Sequence, residues 1–120
     1  MATLVERMLA TRDVVVELRP AADGRPALAV TLRRPAENRI LQMQGGVGEA
    51  DVCAAAVGWS GFTEAELLGS AVGSDAQAEF NPDLWRHWVL DNVDAMGICA
   101  ARLNEAIAQH IQRKAVDRKN

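Results

Sequence analysis

The chain has no tyrosine, and its aromatic residues are limited to three tryptophans and two phenylalanines. All five, Trp59, Phe62, Phe80, Trp85 and Trp88, fall between positions 59 and 88. Such clustering has two readings: a local core, or an exposed surface built from the residue most enriched in binding hot spots. Cysteine is equally sparse. Cys53 and Cys99 stand far apart, neither has a partner at Cys-x-x-Cys distance, and each sits in an Ala-rich helical pattern. They are expected to be reduced core thiols, and nothing indicates a disulfide framework. The two histidines, His87 and His110, form no His-x-x-x-His or His-Glu-x-x-His pair, so no metal site is expected.

Basic residues are missing from one long stretch. Between Ile40 and Trp85 there is no Lys or Arg, while Glu49, Asp51, Glu64, Glu66, Asp75, Glu79 and Asp83 give that segment a charge of −7; each flank carries +2, for a net −3. A nucleic-acid binder needs a basic footprint, and this distribution argues against one. Acids near helix starts are favourable in themselves. The sharper reading is an acidic surface that steers toward a basic partner, or toward the basic end of another copy. Arg113, Lys114, Arg118 and Lys119 do cluster, as cations at a helix C-terminus tend to.

Long apolar runs are also absent. None approaches the roughly 20 residues that a membrane helix needs, and Met1 to Asp13 alternates charged with apolar residues where a signal peptide would have an apolar block. A cytoplasmic protein is expected. Catalytic patterns are wanting too. Gly45-Gly46-Val47-Gly48 lacks the Lys-Ser/Thr ending of a phosphate loop, and no serine stands in a Gly-x-Ser-x-Gly elbow. Asp91 and Asp94 are three apart but sit where helix caps are wanted. No catalytic residue, cofactor or metal is expected.

What is present describes one globular unit. With 120 residues, 49% hydrophobic and 24% charged, the chain is expected to fold as a single domain, 1–120, with a β-hairpin region at 1–34 and a helical region at 35–120. The predicted class is α+β, mostly α: an N-terminal β-hairpin, a bundle of short helices and a long C-terminal helix. Thr11–Leu18 and Ala27–Arg33 alternate, with Val14, Val16 and Leu18 on one face and Leu28, Val30 and Leu32 on one face of the second strand. Asp23-Gly24 marks the turn. Pro35 suits the first turn of a short helix through Gln44, stopped by Gly45-Gly46. Glu49–Val57 is predicted as a helix stopped by Gly58.

Thr63 and Glu66 match a capping box before Leu67-Leu68, and Gly69 to Gln77 reads as a loop. Asn81 is a good N-cap with Pro82 in the first helical position, and Phe80 and Trp85 flank it at the spacing of a hydrophobic staple. Trp85, Trp88 and Val89 then form an apolar stripe. Asp91-Asn92-Val93-Asp94 predicts a kink or turn. A final helix follows with its stripe at Met96, Ala100, Leu103, Ile107 and Ile111, and a polar tail, Arg113 to Asn120, expected to fray.

The order Val57-Gly58-Trp59-Ser60-Gly61-Phe62-Thr63, a Gly/Ser loop, then Phe80-Asn81-Pro82-Asp83-Leu84-Trp85 and a closing helix resembles the small tail assembly chaperones of long-tailed phages and prophages. In that family a Gly-Trp-x-Gly-Val-Thr-like segment precedes a Pro-Phe-Ser-Pro-Glu-like helix start. The likeness covers about the C-terminal half. It departs at Asp91 to Met96, which carries no Trp where an Asp-x-x-Asp-x-Trp-like ending is usual. The resemblance implies a non-enzymatic cytoplasmic protein of the bacterial host that self-associates and binds the tape-measure and tail-tube proteins until the tube polymerises. Trp59, Phe80, Pro82, Trp85 and Trp88 carry it, mainly as structural residues. Two alternatives stay open: a structural virion protein, such as a head-tail connector or minor tail protein, and a small enzyme or ligand-binding module built on the tryptophans with His87.

Overall fold

The computed structural model describes residues 1–119. Nine elements follow in order: α1 (Leu4–Ala10), β1 (Asp13–Arg19), β2 (Leu28–Arg33), α2 (Glu37–Gln42), α3 (Glu49–Ala55), β3 (Ala56–Ser60), α4 (Glu64–Leu68), α5 (Pro82–Leu90) and α6 (Val93–Lys119). The three strands form an antiparallel sheet in the order β1-β2-β3, and α3, α5 and α6 pack on one of its faces. The architecture is α+β and mostly helical, as the sequence predicts.

The hairpin forms on the alternation in its sequence. Val14 pairs with Leu32 and Val16 with Val30, which puts both apolar sets on the helix-covered side. A bulge between Glu17 and Arg19 then lets Arg19, not Leu18, face Leu28. At the tip, Asp23 and Gly24 both have positive φ, 52° and 74°, the backbone of a turn whose twist matches antiparallel strands. β2 is the central strand, and its Val30 and Leu32 are fully buried.

The third strand is the main departure from the sequence reading. Glu49–Val57 was expected to be one helix, but α3 stops at Ala55 and the chain enters β3 at the next residue. Thr31 pairs with Gly58 and Leu32 with Ala56, leaving Val57 as the extra residue of a bulge. Ala-rich sequence favours helix, yet the open edge of β2 offers unpaired backbone groups that only a strand satisfies, and that tertiary ladder wins. Gly58 is therefore a strand residue, not a helix stop. Among residues 35–119 the regular elements are helical except for this strand, with a long loop from Gly69 to Asn81.

Other boundaries shift for local reasons. α1 was not anticipated, although Thr3 and Glu6 form a reciprocal capping box, with Glu6 N donating to Thr3 Oγ1 at 3.1 Å and Thr3 N to Glu6 Oε2 at 3.2 Å. Pro35 precedes the cap of α2 and does not enter its first turn. At α4 the box is only half made. Thr63 Oγ1 accepts from Glu66 N, but the Glu66 carboxylate turns to Arg19, 2.8 Å away. In α6 the buried side chains are Ala95, Cys99, Leu103 and Ile107, with Met96 and Ala100 beside them, so the inward face is rotated from the expected stripe and Ile111 is exposed. The tail expected to fray continues as helix to Lys119, while Asn120 lies outside the described residues.

Gly61 is the tightest point of the frame. Its φ is +81°, and a Cβ there would lie 2.1 Å from the carbonyl oxygen of Ala27. The close approach brings the end of β3 against the start of β2, immediately before Phe62. Replacing Gly61 by Ala should cost about 3 kcal/mol or more, from left-handed strain plus the clash. Urea denaturation measures this, and a loss under about 0.5 kcal/mol, the scale of an ordinary surface change, would contradict it.

Candidate functional site

The five aromatic residues come from two segments, Trp59 and Phe62 at the exit of β3, and Phe80, Trp85 and Trp88 at the start of α5. A bridge between Thr63 and Gln77 and a hydrogen bond from Ala78 N to Phe62 O (2.9 Å) close the intervening loop. Asn81 Oδ1 accepts from Asp83 N (2.8 Å) and Leu84 N (3.2 Å), with Pro82 next to the cap, so α5 begins where the sequence places it. Such a cap is worth about 1 kcal/mol.

Phe62 is the hub of the cluster. Its ring stacks on Trp59 at 4.2 Å and meets Trp88 at 4.9 Å and Trp85 at 6.4 Å edge to face. Phe80 also reaches Trp59 edge-on, at 5.3 Å. Among the aromatic pairs of the described residues, Phe80 thus partners Trp59, and the staple expected with Trp85 is replaced by a tie to β3. Phe62 and Trp85 are fully buried, while Trp59, Trp88 and Phe80 are half-buried. Trp59 Nε1 donates to Ala78 O (2.8 Å) and Trp85 Nε1 to Val52 O (3.2 Å). The Trp59 and Trp85 indole donors are thus spent on the chain itself, whereas Trp88 Nε1 has no partner among the described residues. Of the two readings of the aromatic cluster, the geometry favours the core.

Burying Trp85 turns the opposite side of α5 outward. Pro82, Arg86 and Leu90 are spaced by four residues, and across from them on α3 stand Ala50 and Ala54 with Cys53 between. These stripes enclose an open groove of about 750 Å³, with Glu49, Asn81 and Asp83 at its rim. The alanines leave the backbone of α3 within reach of a partner, and Leu90 supplies an exposed apolar wall. The groove runs along about 12 Å of helix, two turns. Sequence reading placed Glu49 and Asp83 in an acidic surface and missed the rest; the signal was the four-residue spacing of Ala50 and Ala54 opposite Pro82, Arg86 and Leu90.

The acidic set does not act as one uncompensated surface. Asp51 pairs with Arg39 (2.9 Å), Glu66 with Arg19 (2.8 Å) and Asp83 with Arg86 (2.8 Å), two of these cations coming from the flank that precedes the basic-free stretch. Glu64 accepts from Ser74 Oγ (3.0 Å). Glu49, Asp75 and Glu79 make no ion pair among the described residues and are exposed. The Arg86 guanidinium beside Asp83 holds that carboxyl below its ordinary range.

Reactive groups are not assembled in the groove. Burial pushes the Cys53 thiol up, against a thiolate role. His87 is exposed on α5, and His110 lies far along α6, sharing a 2.8 Å hydrogen bond with Glu37. Among the described residues, no group of three or more His, Cys, Asp and Glu side chains is placed to hold a metal ion. No described helix is long and apolar enough to cross a membrane. No protein-family model, no curated protein and no solved structure matches the chain.

Two measurements probe this centre. Trp85→Ala should cost about 3–5 kcal/mol, whereas Trp85→Phe keeps most of the packing but orphans the Val52 carbonyl and should cost about 1–3 kcal/mol. Equal losses in chemical denaturation would deny the hydrogen bond any role. The second concerns Cys99, fully buried, whose thiol is pushed by burial up to about 12 from an ordinary 9.0. The unfolded thiol gives up its proton first, so stability is full below pH 9 and falls as pH rises from 9 toward 12. With no tyrosine to titrate in that window, Cys99→Ala should flatten much of the fall. An unchanged alkaline slope in that variant would refute the assignment.

Proposed function

We propose that the protein is a tail assembly chaperone of a long-tailed phage or prophage, a non-enzymatic protein of the host bacterial cytoplasm that binds the tape-measure and tail-tube proteins during assembly. The observation that carries the reading is the convergence of both halves of the family-like pattern. Gly58-Trp59-Ser60-Gly61-Phe62 and Phe80-Asn81-Pro82-Asp83-Leu84-Trp85 meet in one aromatic cluster, and that cluster sets the outward face of α5 across from α3. The resulting groove is two helical turns long, small-residued on its floor and polar at its rim. Such a surface suits a partner helix laid in by its apolar face.

A chaperone's grip must also be released when the tube polymerises. A short groove with few large anchors suits that, since affinity follows anchor quality more than area. Co-expression with a tape-measure protein of a long-tailed phage from the same genome is the direct test. The pair should co-purify, and Ala54→Arg, at an exposed position of the groove floor, should weaken capture by about tenfold or more without changing the melting temperature. A chain that ignores that partner would overturn the reading. Purified mature particles should lack the protein; its persistence there would favour a structural virion component instead.

A further inference from the structure

Two side chains on one flank of the fold keep bonding capacity that the chain itself does not use. Trp88 meets Phe62 in the aromatic stack, but its Nε1 hydrogen has no acceptor among the described residues. Glu66 turns its carboxylate away from the cap of α4, and its Oε1 is buried 2.8 Å from the Arg19 guanidinium without the alignment of a hydrogen bond. That oxygen can still accept a donor. Both side chains line a cavity of about 390 Å³ between the close of β1, α4 and the turn from α5 into α6. The cavity shares no residue with the groove between α3 and α5.

The bulge in β1 builds one wall. An unbroken register would set Leu18 opposite Leu28, but Arg19 stands there instead, and Leu18 and Arg19 both reach the cavity. Leu28 backs them and is buried. The start of α6 builds the other wall from the exposed Val93 and Ile98. Asp91 and Asp94 alternate with these apolar side chains, are exposed, and make no ion pair among the described residues.

Arg19 offsets Glu66, so Asp91 and Asp94 leave the lining with an excess of negative charge. A concave site concentrates such a potential, which repels anions and draws cations. A bare metal ion does not fit, because among the described residues no three His, Cys, Asp or Glu side chains are placed to hold one. Apolar walls stand between the carboxylates, and Trp88 adds an indole, the best aromatic surface for a cation. An alkyl stem ending in a guanidinium or ammonium suits both parts: its methylenes cover Leu18, Val93 and Ile98, and its head meets the carboxylates. The positive start of α6 is reason enough for Asp94 alone. It gives no reason for the free oxygen of Glu66 and the free donor of Trp88 to border the same space.

We propose that this cavity binds an organic cation carried on an alkyl chain, either the arginine or lysine side chain of a polypeptide or the same group in a free amine. Asp91 and Asp94 hold the head beside Trp88, and Glu66 Oε1 accepts from it. The site stands independently of the chaperone reading, because it uses no residue of the groove and its test uses no phage partner.

Nuclear magnetic resonance of the isotope-labelled full chain reads the site through the indole N–H signals, those of Trp59 and Trp85 being tied to carbonyls and that of Trp88 free. Three ligands are titrated in about 0.05 M salt: Nα-acetyl-arginine methylamide, agmatine, and the uncharged Nα-acetyl-norleucine methylamide. The capped arginine should shift the Trp88 signal saturably, with a Kd on the order of 0.1–1 mM, and leave the other two in place. Asp91→Asn with Asp94→Asn, both at exposed positions, should weaken binding by about tenfold or more, and the norleucine compound should bind as weakly to the parent. Circular dichroism establishes that the variant folds. Raising salt to about 0.5 M, which should weaken binding severalfold in the parent, tests the charge separately. Tighter binding of agmatine would assign the site to a free amine, and tighter binding of the capped arginine to a polypeptide; both uphold it. The absence of a saturable Trp88 shift up to about 10 mM, equal binding of the norleucine compound, or an affinity unchanged by the two Asn substitutions would each overturn the proposal. Ala54→Arg, which fills the groove, should leave the titration unchanged, so this site and the chaperone reading fail separately.

Discussion

Trp85 closes a gap that the rest of the fold depends on. A helix leaves its last four carbonyls without partners inside the helix, and α3 ends at Ala55 with no linker before β3 begins at Ala56. The Val52 carbonyl is one of those four, and the buried Trp85 indole donates to it. This bond permits the abrupt change from helix to strand, because water has no access to supply the missing donor. Once β3 can start there, it completes the sheet, presents Trp59 and Phe62 to α5, and closes the aromatic stack that in turn buries Trp85. Cap, strand and stack are mutually supporting, which is how a chain with only five aromatic residues fixes one arrangement of its central helices.

Much of this was legible in the residues, and the illegible parts share a cause. The hairpin followed from period-two alternation around Asp23-Gly24, and the start of α5 from Asn81-Pro82. Both are local signals, complete within a few residues. The strand β3 was not legible because its justification lies in β2, far earlier in the chain, while the helix preference of Ala50, Ala54, Ala55 and Ala56 dominates the nearby sequence. The rotation of the α6 face has a similar origin. Ala95 and Cys99 are small, and a stripe chosen by side-chain size passes over them, yet small residues are what let α6 approach β1 and α3 closely. At α1 the signal was present in Thr3 and Glu6 and in the helical spacing of Leu4, Val5, Met8 and Leu9, but a seven-residue helix that buries no side chain has no core contact to single it out.

The charge pattern changes meaning in passing from sequence to space. As a string, the molecule is an acidic middle between two basic flanks. Folding brings Arg19 and Arg39 from the first flank onto Glu66 and Asp51, and the middle is partly neutralised. Part of what remains unpaired sorts by position along α6, with Asp91 and Asp94 at its start and Arg113, Arg118 and Lys119 outnumbering Asp117 in its later turns. Acids gather near the beginning of α6 and arginines near its later turns. The polarity of the folded chain therefore comes less from the basic-free stretch than from Asp91 and Asp94 at one end and Arg12, Arg34 and Arg113 at the other, residues that look ordinary one at a time.

Past Ile107, the last buried residue of α6, Ala108 to Lys119 continue the helix beyond the packed core toward that basic end. A polar helical segment of about twelve residues is marginal in water by itself, because propagation barely outruns the cost of nucleation. Here nucleation is already met by the packed turns through Ile107, and Glu37 holds one further turn by pairing with both Lys114 and His110, which draw its carboxyl down to about 2. Beyond Lys114 no ion pair to another element supports the helix among the described residues. Exposed ion pairs of this kind are individually weak and salt-sensitive. The last turns of α6 are therefore held by charge alone, and the aromatic centre shares none of those contacts.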